Sequence, residues 1–180
     1  MKKIYALIIA KGESKRLYNK NKRDFNGKPM FVWNLEKCNK LFEKVFVSSE
    51  DKEILEIAKS YGAIPIKRPE KLCEGPNIPV YQHAQRKMKA DIIVAVQANS
   101  PTINIMTIAE VNILMVAGFH ETMTSHENGK IYGSVWAMTK DRLKHYPDPY
   151  NPKPERLIID TSIDIHTLED LENAKQSSQN

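Results

Sequence analysis

The chain has 180 residues, with 27 basic and 22 acidic side chains, a net charge of +5, and 41% hydrophobic and 27% charged residues. This length predicts one domain over residues 1–180, and this composition excludes a disordered polyelectrolyte. Two cysteines exclude a disulfide scaffold, and no apolar run approaches the roughly 20 residues of a membrane span, so we expect a cytoplasmic protein.

The positive charge is concentrated in one short segment. Residues 11–28 hold two acidic side chains and seven basic ones, which together account for the whole net charge. The seven basic residues are Lys11, Lys15, Arg16, Lys20, Lys22, Arg23 and Lys28. A nucleic-acid or membrane binder would spread its basic side chains over a face or several helices. We therefore expect neither of those partners, and a small anionic ligand instead.

Short apolar runs alternate with amphipathic segments over the first two thirds of the chain. The apolar runs predict strands at Ile4–Ile9, Val45–Ser48, Ala63–Ile66 and Asp91–Gln97. The segments between them predict helices at Pro29–Leu41, Asp51–Tyr61 and Ile78–Met88, and an apolar helix at Ile105–Val116. Strands that alternate with helices of this length predict an α/β fold, with a mostly parallel sheet and helices on both of its faces. Pro65 indicates an edge position for the third strand.

After residue 118 the pattern changes to that of a small β-hairpin and a loop, which we predict as an insertion over residues 118–156. Asn128-Gly129 is a two-residue hairpin signal, and its flanks Phe119–His126 and Ile131–Met138 are expected to pair antiparallel. Four prolines between residues 147 and 154 exclude a regular helix there. The remaining chain predicts one strand and one helix, at Leu157–Asp160 and Thr167–Ala174.

The first predicted strand leads into a basic loop with one glycine, Ala10-Lys11-Gly12-Glu13-Ser14-Lys15-Arg16. Ligands of open α/β sheets bind at the carboxyl ends of the strands. A glycine there lets backbone N–H groups approach a polyphosphate, and nearby cations neutralise it. The loop lacks the second glycine of a Walker loop and does not fit G-x-G-x-x-G. The residues alone leave open a phosphate-binding loop and an ordinary basic surface loop.

A series of short motifs follows this loop along the chain. They are Lys20-Asn21, Asp24-Phe25-Asn26-Gly27-Lys28-Pro29, Val47-Ser48-Ser49-Glu50-Asp51, Lys67-Arg68-Pro69-Glu70, Gln97-Ala98-Asn99-Ser100-Pro101 and Ile163-Asp164-Ile165-His166-Thr167. In this order they resemble the motifs of the nucleotide-sugar cytidylyltransferases, most closely the acylneuraminate branch, which activates sialic-acid-like sugars with CTP. The likeness spans nearly the whole chain.

The resemblance implies a Rossmann-like nucleotidyltransferase fold and a specific reaction. A hydroxyl of a small anionic acceptor attacks the α-phosphorus of CTP, and pyrophosphate leaves. The acceptor is a sialic-acid-like or other 3-deoxy-ulosonic acid, or else a phosphorylated or phosphonate compound. A metal ion, Mg²⁺ or alternatively Mn²⁺, assists the transfer, and the resemblance is compatible with a homodimer.

The resemblance also implies roles for individual residues. The nucleotide-binding residues it indicates are Ala10, Lys11, Gly12, Ser14, Lys15, Asn21, Arg68, Gln97 and Ser100. The catalytic cations it indicates are Lys11, Lys15 and Lys20. Asp164 and His166 stand where the family has the D-x-D motif that binds Mg²⁺, so we predict them as the metal ligands.

Three positions depart from the family pattern: Lys11 replaces an arginine, Glu13 a glycine and His166 an aspartate. Imidazole suits Zn²⁺ or Ni²⁺ better than Mg²⁺. The departures leave several alternatives open: Asp164 acts with water and phosphate oxygens, Asp160 contributes, the metal preference has shifted, or His166 is a solvated residue with no ligand role. For the whole chain, the alternatives are a nucleotidyltransferase for another nucleotide, and a nucleotide-binding homologue with little turnover.

Overall fold

A computed structural model describes residues 2–14 and 16–178. The strands in these ranges are β1 (Ile4–Ile9), β2 (Asp24–Phe25), β3 (Lys28–Pro29), β4 (Val45–Ser49), β5 (Ile64–Lys67), β6 (Ile92–Gln97), β7 (Glu121–Ser125), β8 (Ile131–Thr139) and β9 (Arg156–Ile159). The helices are α1 (Met30–Leu41), α2 (Lys52–Ser60), α3 (Asn77–Met88), α4 (Ile105–Val116), α5 (Lys140–Lys144) and α6 (Leu168–Ser177). None of the helices in the described part has the length and apolar character that crossing a bilayer requires.

Seven strands form one mixed sheet in the order β5-β4-β1-β6-β8-β7-β9. β1 pairs in parallel with β4 and β6, β4 with β5, and β7 with β9. Only β8 runs against its neighbours, because it is antiparallel to both β6 and β7. The predicted α/β fold with a mostly parallel sheet is therefore confirmed. β5 lies at one end of the sheet, the edge position that Pro65 indicated.

Both faces of the sheet are covered by helices, as predicted. On β1, Ala6 and Ile8 point to one face and share a buried cluster with side chains of α1, α2 and α4. Tyr5 and Leu7 point to the other face and pack with side chains of α3 and α5. A strand buried on both faces needs an unbroken apolar run rather than alternating apolar and polar residues. The apolar run at residues 4–9 therefore indicated a strand in the interior of the sheet.

The segment after residue 118 is built into the sheet. The predicted hairpin forms around Asn128-Gly129, where Gly129 has a φ of +79°, a left-handed conformation that glycine adopts without strain. Its second strand, β8, pairs with β6 as well as with β7, so the hairpin continues the parallel part of the sheet. The short helix α5 that follows was not predicted from the sequence. Residues 147–155, which contain the four prolines, form neither helix nor strand.

A third, smaller cluster joins the end of the chain to the segment after the basic loop. It contains Leu17, Phe25 and Met30 together with Ile165 and Leu171, all buried. The N–H of Ile165 also donates to the carbonyl of Asn99, just beyond β6, at 2.9 Å. This packing brings residues 163–166 to the edge of the sheet where β1 and β6 end.

We expect the buried amine of Lys37 to give the protein an unusual alkaline stability profile. Lys37 Nζ donates to the carbonyl of Pro101 at 2.6 Å and to Oδ1 of Asn34 at 3.1 Å. Burial lowers the pKa of Lys37 from its ordinary 10.5 to about 8. Between these two values the unfolded chain binds a proton that the folded chain lacks, so the free energy of unfolding rises with pH in this range.

The measurement is urea unfolding of the wild type and of Lys37→Met at a series of pH values. From about pH 7 to about pH 10, the free energy of unfolding of the wild type should rise by roughly 1–2 kcal/mol relative to the variant. Using the difference between the two proteins cancels the titration of the other groups. A difference that does not change with pH would contradict the lowered pKa.

Candidate active site

A single carboxylate holds the basic loop against the ends of the neighbouring strands. Oε1 of Glu50 accepts from the N–H of Gly12 at 2.6 Å, and Oε2 accepts from Nη2 of Arg68 at 2.7 Å. Burial alone would raise the pKa of Glu50, but the N–H groups of Glu50 and Gly12 and the charge of Arg68 outweigh it and lower that pKa. Glu50 therefore stays ionised and connects the residues that follow β1, β4 and β5.

The glycine at position 12 is a steric requirement. A Cβ at this position would lie 2.6 Å from Oδ2 and 2.7 Å from Cβ of Asp51. Asp51 cannot move aside easily, because its Oδ1 caps α2 by accepting from the N–H groups of Glu53 and Ile54, and its Oδ2 accepts from Lys22 Nζ at 2.9 Å. The loop backbone thus approaches the start of α2 more closely than any side chain would permit.

A cleft of about 300 Å³ opens between this loop and the carboxyl ends of β1 and β6. This volume is at the lower end of the range for small-molecule sites. The nucleotide-binding and catalytic residues that the sequence predicted and that line it are Lys11, Ser14, Lys20, Asn21, Arg68 and Gln97. Gly12 lines an adjoining space of about 590 Å³, which also contacts Lys11, Glu13 and Ser14.

Two of the polar residues in the cleft are tied to the loop backbone or to its neighbours. Lys11 Nζ forms an ion pair with Oε1 of Glu74 at 2.7 Å. Nδ2 of Asn21 donates to the carbonyl of Lys11 at 2.8 Å, which fixes the amide against the loop. Oδ1 of Asn21 is buried and has no hydrogen-bond partner among the described residues.

Lys20 connects the cleft to the end of the chain. Its Nζ donates to the carbonyl of Ile165 at 2.9 Å. Burial lowers the pKa of Lys20, the charge of Asp164 acts in the opposite direction, and the charge of Arg16 lowers the pKa further. An anion bound beside Lys20 would favour its charged form.

Of the remaining predicted nucleotide-binding residues, Ala10 and Ser100 lie outside the lining of the cleft, and Gln97 lines it. Ala10 is fully buried, and its N–H donates to the carbonyl of Ser48 at 3.1 Å. Ser100 is also buried, with its hydroxyl 2.6 Å from the hydroxyl of Tyr132. Nε2 of Gln97 donates to the carbonyl of Gly133 at 3.3 Å. Lys15, predicted to bind phosphate and to act in catalysis, lies outside the described residues.

The predicted metal ligands Asp164 and His166 contact each other at the margin of the cleft. Nε2 of His166 lies 2.6 Å from Oδ2 of Asp164, and Nδ1 lies 2.7 Å from Nη2 of Arg16. Oδ1 of Asp164 accepts from Nδ2 of Asn99. No group of three or more His, Cys, Asp or Glu side chains within residues 2–14 and 16–178 is arranged to hold a metal ion.

Asp160, the alternative carboxylate, sits in a separate buried network. Its Oδ2 accepts from the hydroxyls of Ser134 and Ser162, each at 2.5 Å, and its Oδ1 accepts from the N–H of Ser162 at 3.2 Å. These hydrogen bonds offset the cost of burying the carboxylate of Asp160. They also fix the start of β8 to the segment that follows β9.

Several residues of the site received no role from the sequence: Arg16, Glu50, Asn99 and Tyr132. Arg16 and Asn99 line the cleft directly, whereas Glu50 and Tyr132 bond to residues that were predicted. Position supplied a usable signal for Glu50 and Asn99, because each comes within two residues of the end of a parallel strand.

Comparison with known proteins identifies the family. A family model described as Cytidylyltransferase matches residues 5–149, which is well over half of the chain. The chain belongs to the cytidylyltransferase family. The resemblance stated from the sequence motifs is therefore confirmed.

Matching relatives are named for activation of acidic sugars. A Helicobacter pylori protein named pseudaminic acid cytidylyltransferase and UDP-2,4-diacetamido-2,4,6-trideoxy-beta-L-altropyranose hydrolase is 48% identical over 60 residues, which are 32% of this chain and 12% of that protein. Other relatives are named N-acylneuraminate and 3-deoxy-manno-octulosonate cytidylyltransferase. The matched segment is a quarter or less of the length of the pseudaminic acid relatives.

Solved structures share the fold over nearly the whole chain. A CMP:2-keto-3-deoxy-manno-octonic acid synthetase complexed with CTP superposes with a TM-score of 0.80, at 16% identity, over 98% of both chains. A Mycobacterium tuberculosis protein in complex with manganese superposes with a TM-score of 0.72, at 11% identity, over 97% of this chain and 99% of the other. At these identities the likeness shows the fold, and the predicted Rossmann-like nucleotidyltransferase fold is confirmed.

The close approach at Gly12 leads to a stability prediction. Gly12→Ala should destabilise the fold by about 2 kcal/mol, because the new Cβ overpacks against Asp51. Urea unfolding measures the change. Because the clash involves the carboxylate and Cβ of Asp51, Gly12→Ala should cost less in an Asp51→Ser background, which keeps only Cβ of those atoms, and least in an Asp51→Gly background, which removes all of them. A Gly12→Ala protein as stable as the wild type would contradict this steric account.

Proposed function

We propose that this chain is a CTP-dependent cytidylyltransferase that transfers CMP to an acidic sugar or a related small anionic acceptor and releases pyrophosphate. One observation carries the proposal: in a member of this family, a cleft at the carboxyl ends of β1 and β6 gathers Lys11, Ser14 and Lys20 beside the polar side chains of Asn21 and Gln97. Cations and backbone N–H groups in this position suit a triphosphate, and amides suit a nucleoside.

In this proposal the basic loop holds the triphosphate. The positive charge comes from Lys11, Lys15 and Lys20. Ser14 supplies a hydroxyl, and Gly12 allows the loop backbone to approach the phosphates closely. Lys11 is paired with Glu74, so phosphate oxygens would compete with that carboxylate for its ammonium group.

The nucleoside lies on the other side of the cleft. Arg68 and Gln97 line the cleft there, whereas Asn21 is held against the loop by its bond to the carbonyl of Lys11, and Ala10 and Ser100 are buried. Arg68 is 3% exposed and already bonded to Glu50, so its orientation is set before any ligand binds.

The transfer needs no covalent nucleophile from the protein. The acceptor hydroxyl attacks the α-phosphorus and gives up its proton to solvent, and the bond from that phosphorus to the pyrophosphate oxygen breaks. Lys11, Lys15 and Lys20 then act by holding the triphosphate in line and by stabilising charge on the non-bridging oxygens and the leaving pyrophosphate. The cleft has cationic residues for this task, because both Lys11 and Lys20 line it.

Asp164 fits a role as the carboxylate that holds Mg²⁺ or Mn²⁺. A carboxylate has about four lone-pair sites, and the contacts with Asn99 and His166 use two of them. Mg²⁺ is commonly held by one or two carboxylates with waters and substrate phosphates, and when bound it neutralises phosphate charge. For His166 to join as a ligand, it would have to release Arg16 or Asp164, since both of its ring nitrogens are hydrogen-bonded.

Three further parts of the proposal follow from the substrate and the resemblance. CTP is drawn from the cytoplasmic nucleotide pool, so we place the enzyme in the cytoplasm. The charge distribution, balanced outside residues 11–28, supports small partners rather than nucleic acid or membrane. A homodimer stays a prediction.

The proposal predicts pyrophosphate release that depends on Asp164. The full chain is incubated with CTP, with Mg²⁺ or Mn²⁺, and with a panel of sialic-acid-like and other 3-deoxy-ulosonic acids and phosphorylated or phosphonate acceptors. We expect release with at least one acceptor, and a loss of about 100-fold or more in Asp164→Asn, because a charge-stabilising group is removed. Asp141→Asn is the matched control. Asp141 lies in α5, which follows the C-terminal end of β8, at the edge of the sheet opposite the cleft.

Two outcomes would contradict this assignment. Folded protein that releases no pyrophosphate under any condition, yet is stabilised by CTP in a thermal shift, would support the nucleotide-binding alternative. Greater stabilisation by GTP or UTP than by CTP would assign a different nucleotide, because a ligand stabilises the native state according to its affinity.

A further inference from the structure

We propose that Arg16 contacts the phosphates of the bound nucleotide and that His166 positions its guanidinium for this contact. The inference rests on the proposed function, because it adds two residues to the same cleft. It gives Arg16 a binding role, and it makes His166 a positioning residue whose effect passes through Arg16.

The hydrogen bond between these residues determines the state of the imidazole ring. An arginine side chain only donates, so the contact of 2.7 Å requires the lone pair of His166 Nδ1 as acceptor. A neutral ring with a free Nδ1 carries its proton on Nε2, and that N–H donates to Oδ2 of Asp164 at 2.6 Å. The ring is thus a neutral bridge that accepts from a cation at one nitrogen and donates to a carboxylate at the other.

The histidine end of the bridge is firmly held. The N–H of His166 donates to Oδ2 of Asp170 at 2.8 Å, and Asp170 belongs to the capping box that starts α6. Asp164 in turn accepts from Asn99, just beyond β6. Because ring and backbone are both fixed, the imidazole is a fixed acceptor against which the longer arginine side chain can be oriented.

The arginine end lies in the cleft with most of its donors available. Arg16 lines the cleft, its residue is exposed, and within residues 2–14 and 16–178 its guanidinium makes only the hydrogen bond to His166. A guanidinium has five N–H donors, and its fork geometry matches phosphate oxygens. The remaining donors are therefore available to a phosphate beside Lys20, whose pKa the charge of Arg16 helps to lower.

The side chain at position 166 must accept from Arg16 and donate to Asp164 at the same time. Aspartate, the residue of the family motif, would accept from Arg16 but could not donate to Asp164. Glutamine has both an acceptor and a donor at the end of its side chain, whereas leucine has neither. The series His166→Leu, His166→Asp and His166→Gln therefore separates the two bonds.

The first test examines the bridge without any nucleotide. In ¹⁵N NMR spectra at alkaline pH, where imidazoles are neutral, we expect the His166 ring of the free protein to carry its proton on Nε2. Its signals are assigned by their absence from His166→Leu. Arg16→Met should shift the Nδ1 resonance of His166 because it removes the donor. Protonation on Nδ1, or a resonance unaffected by Arg16→Met, would overturn the inference.

The second test measures CTP binding in metal-free buffer with EDTA by calorimetry, as a double-mutant cycle. We expect Arg16→Met and His166→Leu each to weaken CTP binding about tenfold, as for loss of a hydrogen bond to a charged group. The double variant should bind no more weakly than Arg16→Met alone, because His166 acts through Arg16. His166→Gln should restore most of the affinity. The controls Arg23→Met and His145→Gln change exposed residues outside the cleft.

The outcomes distinguish this inference from the proposed function. A wild type that binds CTP, together with unchanged affinity in Arg16→Met or an additive cycle, overturns the Arg16–His166 inference alone. Loss of affinity in His166→Leu only when metal is present would instead make His166 a metal ligand and also overturn it. A wild type that binds CTP neither in EDTA nor with Mg²⁺ or Mn²⁺ present overturns the proposed function and the phosphate contact with it.

Discussion

The site depends most on the carboxylate of Glu50. It accepts from the N–H of Gly12 and from the buried guanidinium of Arg68, so one side chain sets the relative positions of the residues after β1, β4 and β5. Loss of this carboxylate would leave the Arg68 charge buried without a partner, which costs far more than an exposed ion pair contributes. With Glu50 present, the folded core fixes the backbone of the loop before any ligand binds.

Three cations in or near the cleft are paired with carboxylates of the protein itself. Glu74 pairs with Lys11, Glu50 with Arg68, and Asp51 with Lys22. When a triphosphate binds, Lys11 would exchange the carboxylate of Glu74 for phosphate oxygens. Arg16 has no such competing carboxylate, because its partner is a neutral imidazole. Pairing with acidic side chains explains how the charges of Lys11 and Lys22 in the positive segment are accommodated without a ligand.

Local features of the fold could be predicted from the sequence, whereas contacts between distant residues could not. The apolar run of β1, the edge position indicated by Pro65 and the Asn128-Gly129 turn all depend on neighbours in the chain. The helix α5 was missed because five residues are too few to show helical periodicity. His166 was predicted as a metal ligand from a motif, but its bond to Arg16 joins positions 150 residues apart and arises only from packing of the chain end against the loop.

The reversed direction of β8 has a consequence for how such a site can diversify. Since β8 runs against the other strands, it begins at the edge where they end, and the turn at residues 126–130 lies at that same edge. His126 in this turn stacks on Tyr132, with ring centroids 4.7 Å apart, and Tyr132 reaches Ser100. Insertions in the turn can therefore reshape the margin of the cleft beside Ser100 while the strand registers stay unchanged, which separates the evolution of this margin from that of the scaffold.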